Sequence, residues 1–227
     1  MTILVAGIDE AGRGAVIGPL VIAGVLFEKS TIPELRPLGV KDSKLLTPRK
    51  REKLEPKILE LVVKHKVLYL SPSTIDDYVI NGEKLRKLNW LEAKAMAEII
   101  EVLNPNVAYL DASDVNEKRF GLQVQGLVSF PVRVISEHHA DRDDPVVGAA
   151  SILAKINRDR AVAELRTMYG NFGSGYPSDH HTIRFLCELA RSGDYPDYVR
   201  KSWKTLKRIQ RATEGLHDGS RRGSSIF

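Results

Sequence analysis

The chain has a single cysteine, Cys187, in 227 residues. That excludes an internal disulfide framework and any thiolate-held metal cluster, and it suits a reducing compartment. Long apolar runs are also missing. No stretch approaches the ~18 uncharged apolar residues that span a bilayer, and Asp9 and Glu10 interrupt the first apolar run before it could serve as a signal peptide. The expectation is a soluble, cytoplasmic protein with no membrane partner. No internal repeat is visible. Beyond residue 212, Leu216, Ile226 and Phe227 are the only bulky apolar residues in a stretch dominated by Gly, Ser and Arg, so 213–227 is expected to be a disordered tail.

What is present describes a globular chain: 43% hydrophobic and 28% charged residues, with 17 Gly and 11 Pro. The formal net charge of +5 is unevenly spread. Residues 198–222 hold eight basic side chains (Arg200, Lys201, Lys204, Lys207, Arg208, Arg211, Arg221, Arg222) against Glu214 and Asp218, which leaves the rest of the chain slightly acidic. Basicity is therefore a property of one end, where an anionic partner would be met.

The apolar, branched run 3–8 reads as a strand covered on both faces, and a turn over 11–14 leads into a second strand over 16–27, paired antiparallel to the first. Thr47 and Pro48 signal a helix start, with a kink or late start expected from Pro56. A short strand over 67–70 follows. The clearest helix is 87–103, with Leu88, Leu91, Ala95, Ile99 and Val102 on one stripe and a stop at Asn104 and Pro105. Strands over 107–110 and 132–137 precede a long helix that Asp144 and Pro145 begin and Gly170 ends. Beyond it only helices, 185–190 and 199–209, are expected. This alternation predicts an α/β fold with a mixed sheet: a main domain over 1–170, a helical subdomain over 171–212 and the tail.

Acids fall where the strands run out: Asp9 and Glu10, Asp111, then Asp141. Ligands of open α/β sheets gather beyond the carboxyl ends of strands, and a charge directly after the run Val107, Ala108, Tyr109, Leu110 needs a partner. Singly, each acid is better read as a helix cap or a partner for a surface lysine. Together they point to hard cations, Mg²⁺ or Mn²⁺, and two such ions suit phosphodiester hydrolysis. Consecutive strand residues face opposite ways, so Asp9 and Glu10 are expected to converge only if the strand stops at Asp9. Asp143 and Asp144 compete with Asp141, Asp144 less so because it caps a helix. His138, His139, His180 and His181 suggest zinc superficially, but adjacent histidines diverge, and solvent exposure is expected.

The ordered motifs DEAGRG (9–14), KDSK (41–44), YLDASD (109–114), HHAD (138–141), AASILAKINRD (149–159) and GSGYPSD (173–179) resemble ribonuclease HII, the type 2 ribonuclease H, across roughly 3–206. The last resembles the archaeal branch. Ribonuclease HIII carries an N-terminal extension, whereas the first acid here is residue 9. The resemblance implies a ribonuclease H-like mixed sheet flanked by helices. It implies an endonuclease that hydrolyses the RNA strand of RNA/DNA hybrids and cuts 5′ of ribonucleotides in duplex DNA, leaving 3′-hydroxyl and 5′-phosphate ends. Its site would comprise Asp9, Glu10, Asp111 and Asp141 as ligands of two metal ions. Gly12, Arg13 and Gly14 would address the ribonucleotide 2′-hydroxyl, Tyr176 would pack on the neighbouring sugar, and Ser43, Lys44 and Lys155 would meet phosphates.

One departure stands out: relatives commonly carry Lys where this chain has His139, which weakens a phosphate contact there. The basic C-terminal segment around Trp203, Lys204 and Lys207 reads as a groove wall for a duplex backbone or as a merely solvated helix face. Some archaeal relatives end in a sliding-clamp-binding peptide with paired aromatics. Here Ile226 and Phe227 remain without a suitably spaced Gln, which argues against clamp binding. Monomeric behaviour and a role in replication and repair are implied by the resemblance. The rivals are a different metal nuclease on the same fold, blind to the 2′-hydroxyl, and a non-catalytic hybrid-binding module.

Overall fold

The computed structural model describes residues 2–40, 46–81 and 87–222, without the side chains of 87 and 214–222. The elements in chain order begin with β1 (Leu4–Ala11), β2 (Leu20–Glu28), α1 (Leu35–Leu38), α2 (Pro48–Leu61), β3 (Lys64–Leu70), α3 (Pro72–Asn81) and α4 (Lys87–Leu103). They continue with β4 (Val107–Asp111), α5 (Glu117–Gln125), β5 (Arg133–Glu137), α6 (Ala140–Asp143), α7 (Pro145–Tyr169), α8 (His180–Ser192) and α9 (Lys204–Arg222).

The strands form one sheet in the order β3-β2-β1-β4-β5. The β1–β2 and β2–β3 pairs are antiparallel, and β1–β4 and β4–β5 parallel, which makes the expected mixed α/β sheet. β1 is central and covered on both faces. Ile8 meets Ile99 and Leu103 of α4 around Gly24 on one side, while Val5 and Ala11 join Val146, Ala150 and Leu153 of α7 in one apolar cluster on the other. Because side chains alternate, odd residues of β1 face α7 and even ones face α4. A Cβ at Gly7 would strike the Val146 backbone, so strand and helix touch there main chain to main chain. The β3 edge carries Lys64, His65 and Lys66, charges that discourage pairing with another chain.

The elements fall into two compact units. The first holds 1–13, 20–70 and 83–160, and the second 14–19, 71–82 and 161–227. The division thus lies inside α7, not at the expected residue 170, and the second unit recruits two earlier segments. In it Val16, Ile17, Val162, Phe172, Leu186, Tyr198, Leu206 and Ile209 make a separate apolar core. Val16 and Ile17, expected in the second strand, donate their amides to the Gly175 carbonyl, and Ile17 bridges Val199. Asp76 of α3 accepts the amides of Lys201 (2.6 Å) and Ser202 (2.9 Å) and the Ser202 hydroxyl (2.5 Å). Helix α2 runs through Pro56 without interruption. The backbone of 213–222 continues α9, where a disordered tail was expected, and 223–227 lie outside the described residues.

Candidate active site

Strand β1 does not stop at Asp9: Asp9, Glu10 and Ala11 pair with Ala23, Ile22 and Val21. The expectation of a strand end is corrected, and the two acids do face opposite sides of the sheet. Asp9 points to the α7 side and is 3% exposed. There the buried Ser151 hydroxyl hydrogen-bonds its carboxylate, and Lys155, one turn along α7, donates to Ser151 Oγ at 2.5 Å. The Glu10 amide donates to Asp9 Oδ1 at 2.7 Å. Burial pushes the Asp9 carboxyl up to about 6 from its ordinary 3.8. The nearby Lys155 charge opposes that rise, and the Asp111 charge adds to it.

Asp111 ends β4, two residues after Tyr109, which packs on the α7-side cluster, so it shares the face of Asp9. Its Oδ1 accepts the Ala140 amide at 3.1 Å. The chain reaches that amide through His139 in the left-handed conformation (φ 62°), a reversal after β5 that begins α6. Asp141, the next residue, is fully buried. Its rival Asp144 caps α7, accepting the Val146 amide at 2.7 Å.

Glu10 looks to the α4 side. Burial, then the charges of Asp9, Glu92 and Asp111, push its carboxyl well above the usual range, and Arg13 pulls the other way. Its Oε2 is buried without a hydrogen-bond partner among the described residues. Keeping a carboxylate dehydrated and unpaired costs several kcal/mol, comparable to what two buried aliphatic side chains contribute at ~1.5–3 kcal/mol each. A cation is the natural compensation.

Glu92, which the sequence reading passed over, is completely buried on α4 and forms an ion pair with Arg13 Nε at 2.8 Å. The signal was present: Glu92 lies four residues after Leu88 and three before Ala95, on the apolar stripe itself. Arg13 Nη2 also donates to Asn89 Oδ1 at 2.6 Å.

Asp9 and Asp111 therefore share the α7 face of the sheet, while Glu10 lies on the α4 face within reach of both charges; Lys155 stands beside Asp9, Arg13 beside Glu10, and Asp141 follows the residue whose amide Asp111 holds. Among the described residues no group of three or more His, Cys, Asp or Glu is drawn together tightly enough to hold an ion unaided. Mutual repulsion keeps carboxylates apart, and Mg²⁺ retains several waters while taking only one or two carboxylates plus substrate phosphates. Hard oxygen donors with raised proton affinities fit such an ion. His138, His139, His180 and His181 are all exposed and build no zinc site. Ser43 and Lys44 lie outside the described residues. Gly14 and Tyr176 belong to the second unit. There Tyr176 follows a loop that Asp179 secures by accepting the Ser174 (2.6 Å) and His181 (2.9 Å) amides.

The family model for Ribonuclease HII matches residues 6–206. A Ribonuclease HII of Thermococcus sibiricus is 49% identical over 207 residues, 90% of this chain and 90% of its own. The crystal structure of the ribonuclease H2 from Pyrococcus horikoshii OT3 aligns with a TM-score of 0.84 at 42% identity, covering 93% of this chain and 99% of that one. The structure of the PCNA:RNase HII complex from Archaeoglobus fulgidus aligns with a TM-score of 0.82 at 42% identity, covering 91% and 96%.

Proposed function

The chain belongs to the ribonuclease HII family, and on that premise we propose that it is an endoribonuclease hydrolysing the RNA strand of RNA/DNA hybrids. It also cuts 5′ of ribonucleotides embedded in duplex DNA, leaving 3′-hydroxyl and 5′-phosphate ends. The observation that supports this reading is that Asp9 and Asp111 share one sheet face and that burial, together with the neighbouring carboxylate charges, raises the proton affinity of Asp9 and Glu10. Asp9, Glu10, Asp111 and Asp141 are the groups that would hold two Mg²⁺ or Mn²⁺ ions. Such ions, when bound, supply a water of lowered proton affinity and a counter-charge for the leaving oxygen.

The chain's own residues do the rest. Lys155 and Ser151 orient the Asp9 carboxylate, and the Ala140 amide orients that of Asp111. Gly12, Arg13 and Gly14 offer main-chain groups to the 2′-hydroxyl, the one group that separates RNA from DNA. A Cβ on the exposed Gly14 would meet no protein atom within 4 Å, so the need for glycine there is assigned to a close-approaching substrate. Tyr176 packs on a sugar, and Ser43, Lys44 and Lys155 meet phosphates. Exposed Lys204 and Lys207 of α9 add sequence-independent affinity for the duplex backbone.

The biological setting in this reading is replication and ribonucleotide removal in the cytoplasm, by a monomer. The Archaeoglobus relative solved with PCNA supports a sliding clamp as a second partner; co-elution with the clamp tests it. The decisive experiment compares a duplex carrying one ribonucleotide with the same all-DNA duplex, each divalent ion in turn. Cleavage confined to the first and abolished by chelator is expected, and equal cutting of both would favour a DNA nuclease on the same fold.

A further inference from the structure

The Arg13 side chain does not reach outward from the turn that follows β1. Its planar guanidinium is turned back onto α4, with Nε on Glu92 Oε1 (2.8 Å) and Nη2 on Asn89 Oδ1 (2.6 Å). Asn89 and Glu92 stand three residues apart on one helix and so present neighbouring acceptors, the spacing a fork-shaped donor requires. Asn89 is itself oriented. Its Nδ2 donates to Asp114 Oδ2 at 3.0 Å, and since a carboxylate only accepts, the amide oxygen must face Arg13. Asp114, 2% exposed, is fixed in turn by Arg119 Nη2 (2.5 Å) and by the Asn116 amide (3.0 Å). A chain of side chains thus runs from the loop after β4, through α4, to the turn after β1.

Gly12 (φ 90°) and Gly14 flank Arg13 in the sequence and carry no side chain, so Arg13 supplies the turn's one side chain among residues 12–14. Ordering a residue costs roughly 1–2 kcal/mol, and a recognition group must be held within ~0.5 Å to discriminate. Without an anchor, that ordering would be charged to substrate binding.

We propose that Glu92 and Asn89 are positioning residues that set specificity for the ribonucleotide by clamping the Arg13 side chain, so that the main chain of the turn is fixed before substrate arrives. The proposal rests on the 2′-hydroxyl reading of the turn given under Proposed function. It makes the Arg13 charge a fastening of the turn to α4.

The test measures binding by fluorescence anisotropy in an Asp111→Asn background, where no cleavage is expected, using a duplex with one ribonucleotide and its all-DNA counterpart. Glu92→Gln removes the charge at constant volume. Arg13→Lys, at a side chain 39% exposed, leaves an ammonium that reaches one acceptor where the guanidinium reached two, and it serves should the buried Glu92 variant fail to fold. Each is expected to lower the preference for the ribonucleotide duplex about tenfold while affinity for the all-DNA duplex holds within about twofold and thermal unfolding stays cooperative. A merely structural pair would move both affinities together. Undiminished preference in folded Glu92→Gln and Arg13→Lys overturns the proposal and leaves the function standing. A parent protein that does not distinguish the two duplexes overturns the 2′-hydroxyl reading, and the proposal with it.

Discussion

Asp111 accepts the amide hydrogen of Ala140 at 3.1 Å, which fastens the end of β4 to the start of α6 one residue before Asp141. An asparagine keeps an oxygen able to accept that bond, so Asp111→Asn is expected to fold normally. It also removes one of the charges that press on Asp9 and Glu10. Cleavage of a ribonucleotide-containing duplex should fall at least about a hundredfold, with duplex affinity largely retained. Full activity in this variant would favour a hybrid-binding role without catalysis at this site.

The raised Asp9 carboxyl carries a signed consequence for stability. Its folded value of about 6 exceeds the ordinary 3.8, so its contribution is fully present below pH ~4 and is lost as the pH rises through ~6. The loss is on the order of 3 kcal/mol, and Glu10 adds in the same direction. Cation-free protein should therefore melt at a lower temperature at pH 8 than at pH 5, and Mn²⁺ should restore stability at pH 8 far more than at pH 5. Scanning calorimetry with chelator and with Mn²⁺ reads both. An equal increment at the two pH values would contradict the assignment.

Gly14→Ala separates folding from recognition. A Cβ there meets nothing in the protein, so the melting temperature should shift by no more than about 2 °C. Cleavage at an embedded ribonucleotide should drop at least about tenfold, because the methyl group occupies space that the sugar needs. Unchanged cleavage kinetics would remove Gly14 from the recognition turn.

In the second unit, Asp76→Ala strips three hydrogen bonds, two of them from buried Ser202, and is expected to cost about 3 kcal/mol, a fall of roughly 10 °C in melting temperature. Asp76→Asn should cost less, since the two Ser202 bonds use the one oxygen an amide retains. Thermal unfolding of both variants checks the order.

The burial of Asp9 and the strand-end place of Asp111 were legible in residue order alone, since each follows an uninterrupted apolar run and a charge so placed sits in or at the end of a covered strand. Glu92 is hidden from a search for apolar periodicity because it is an acid, yet its place on the apolar stripe of α4 is the informative signal. The strand end expected at Asp9 failed for a different reason: pairing with Ala23, Ile22 and Val21 of β2 holds the backbone extended, a tertiary constraint that two nearby glycines cannot reveal. The short helices α3 and α5 carry thin apolar stripes, yet their capping signals were legible. Ser71 Oγ accepts the Thr74 amide at 3.1 Å and Asn116 Oδ1 that of Arg119 at 2.9 Å. Pro56 was given too much weight, since it forfeits a single main-chain bond within a helix otherwise held by its apolar contacts.

Where Gly7 meets Val146 there is no side chain to act as a cushion. Exchanging one aliphatic residue for another at that contact therefore cannot retune the spacing between Asp9 and Lys155. A single methyl group at position 7 would instead act as a wedge, lifting Ser151 and Lys155 away from the carboxylate they steady without altering any ionisable residue.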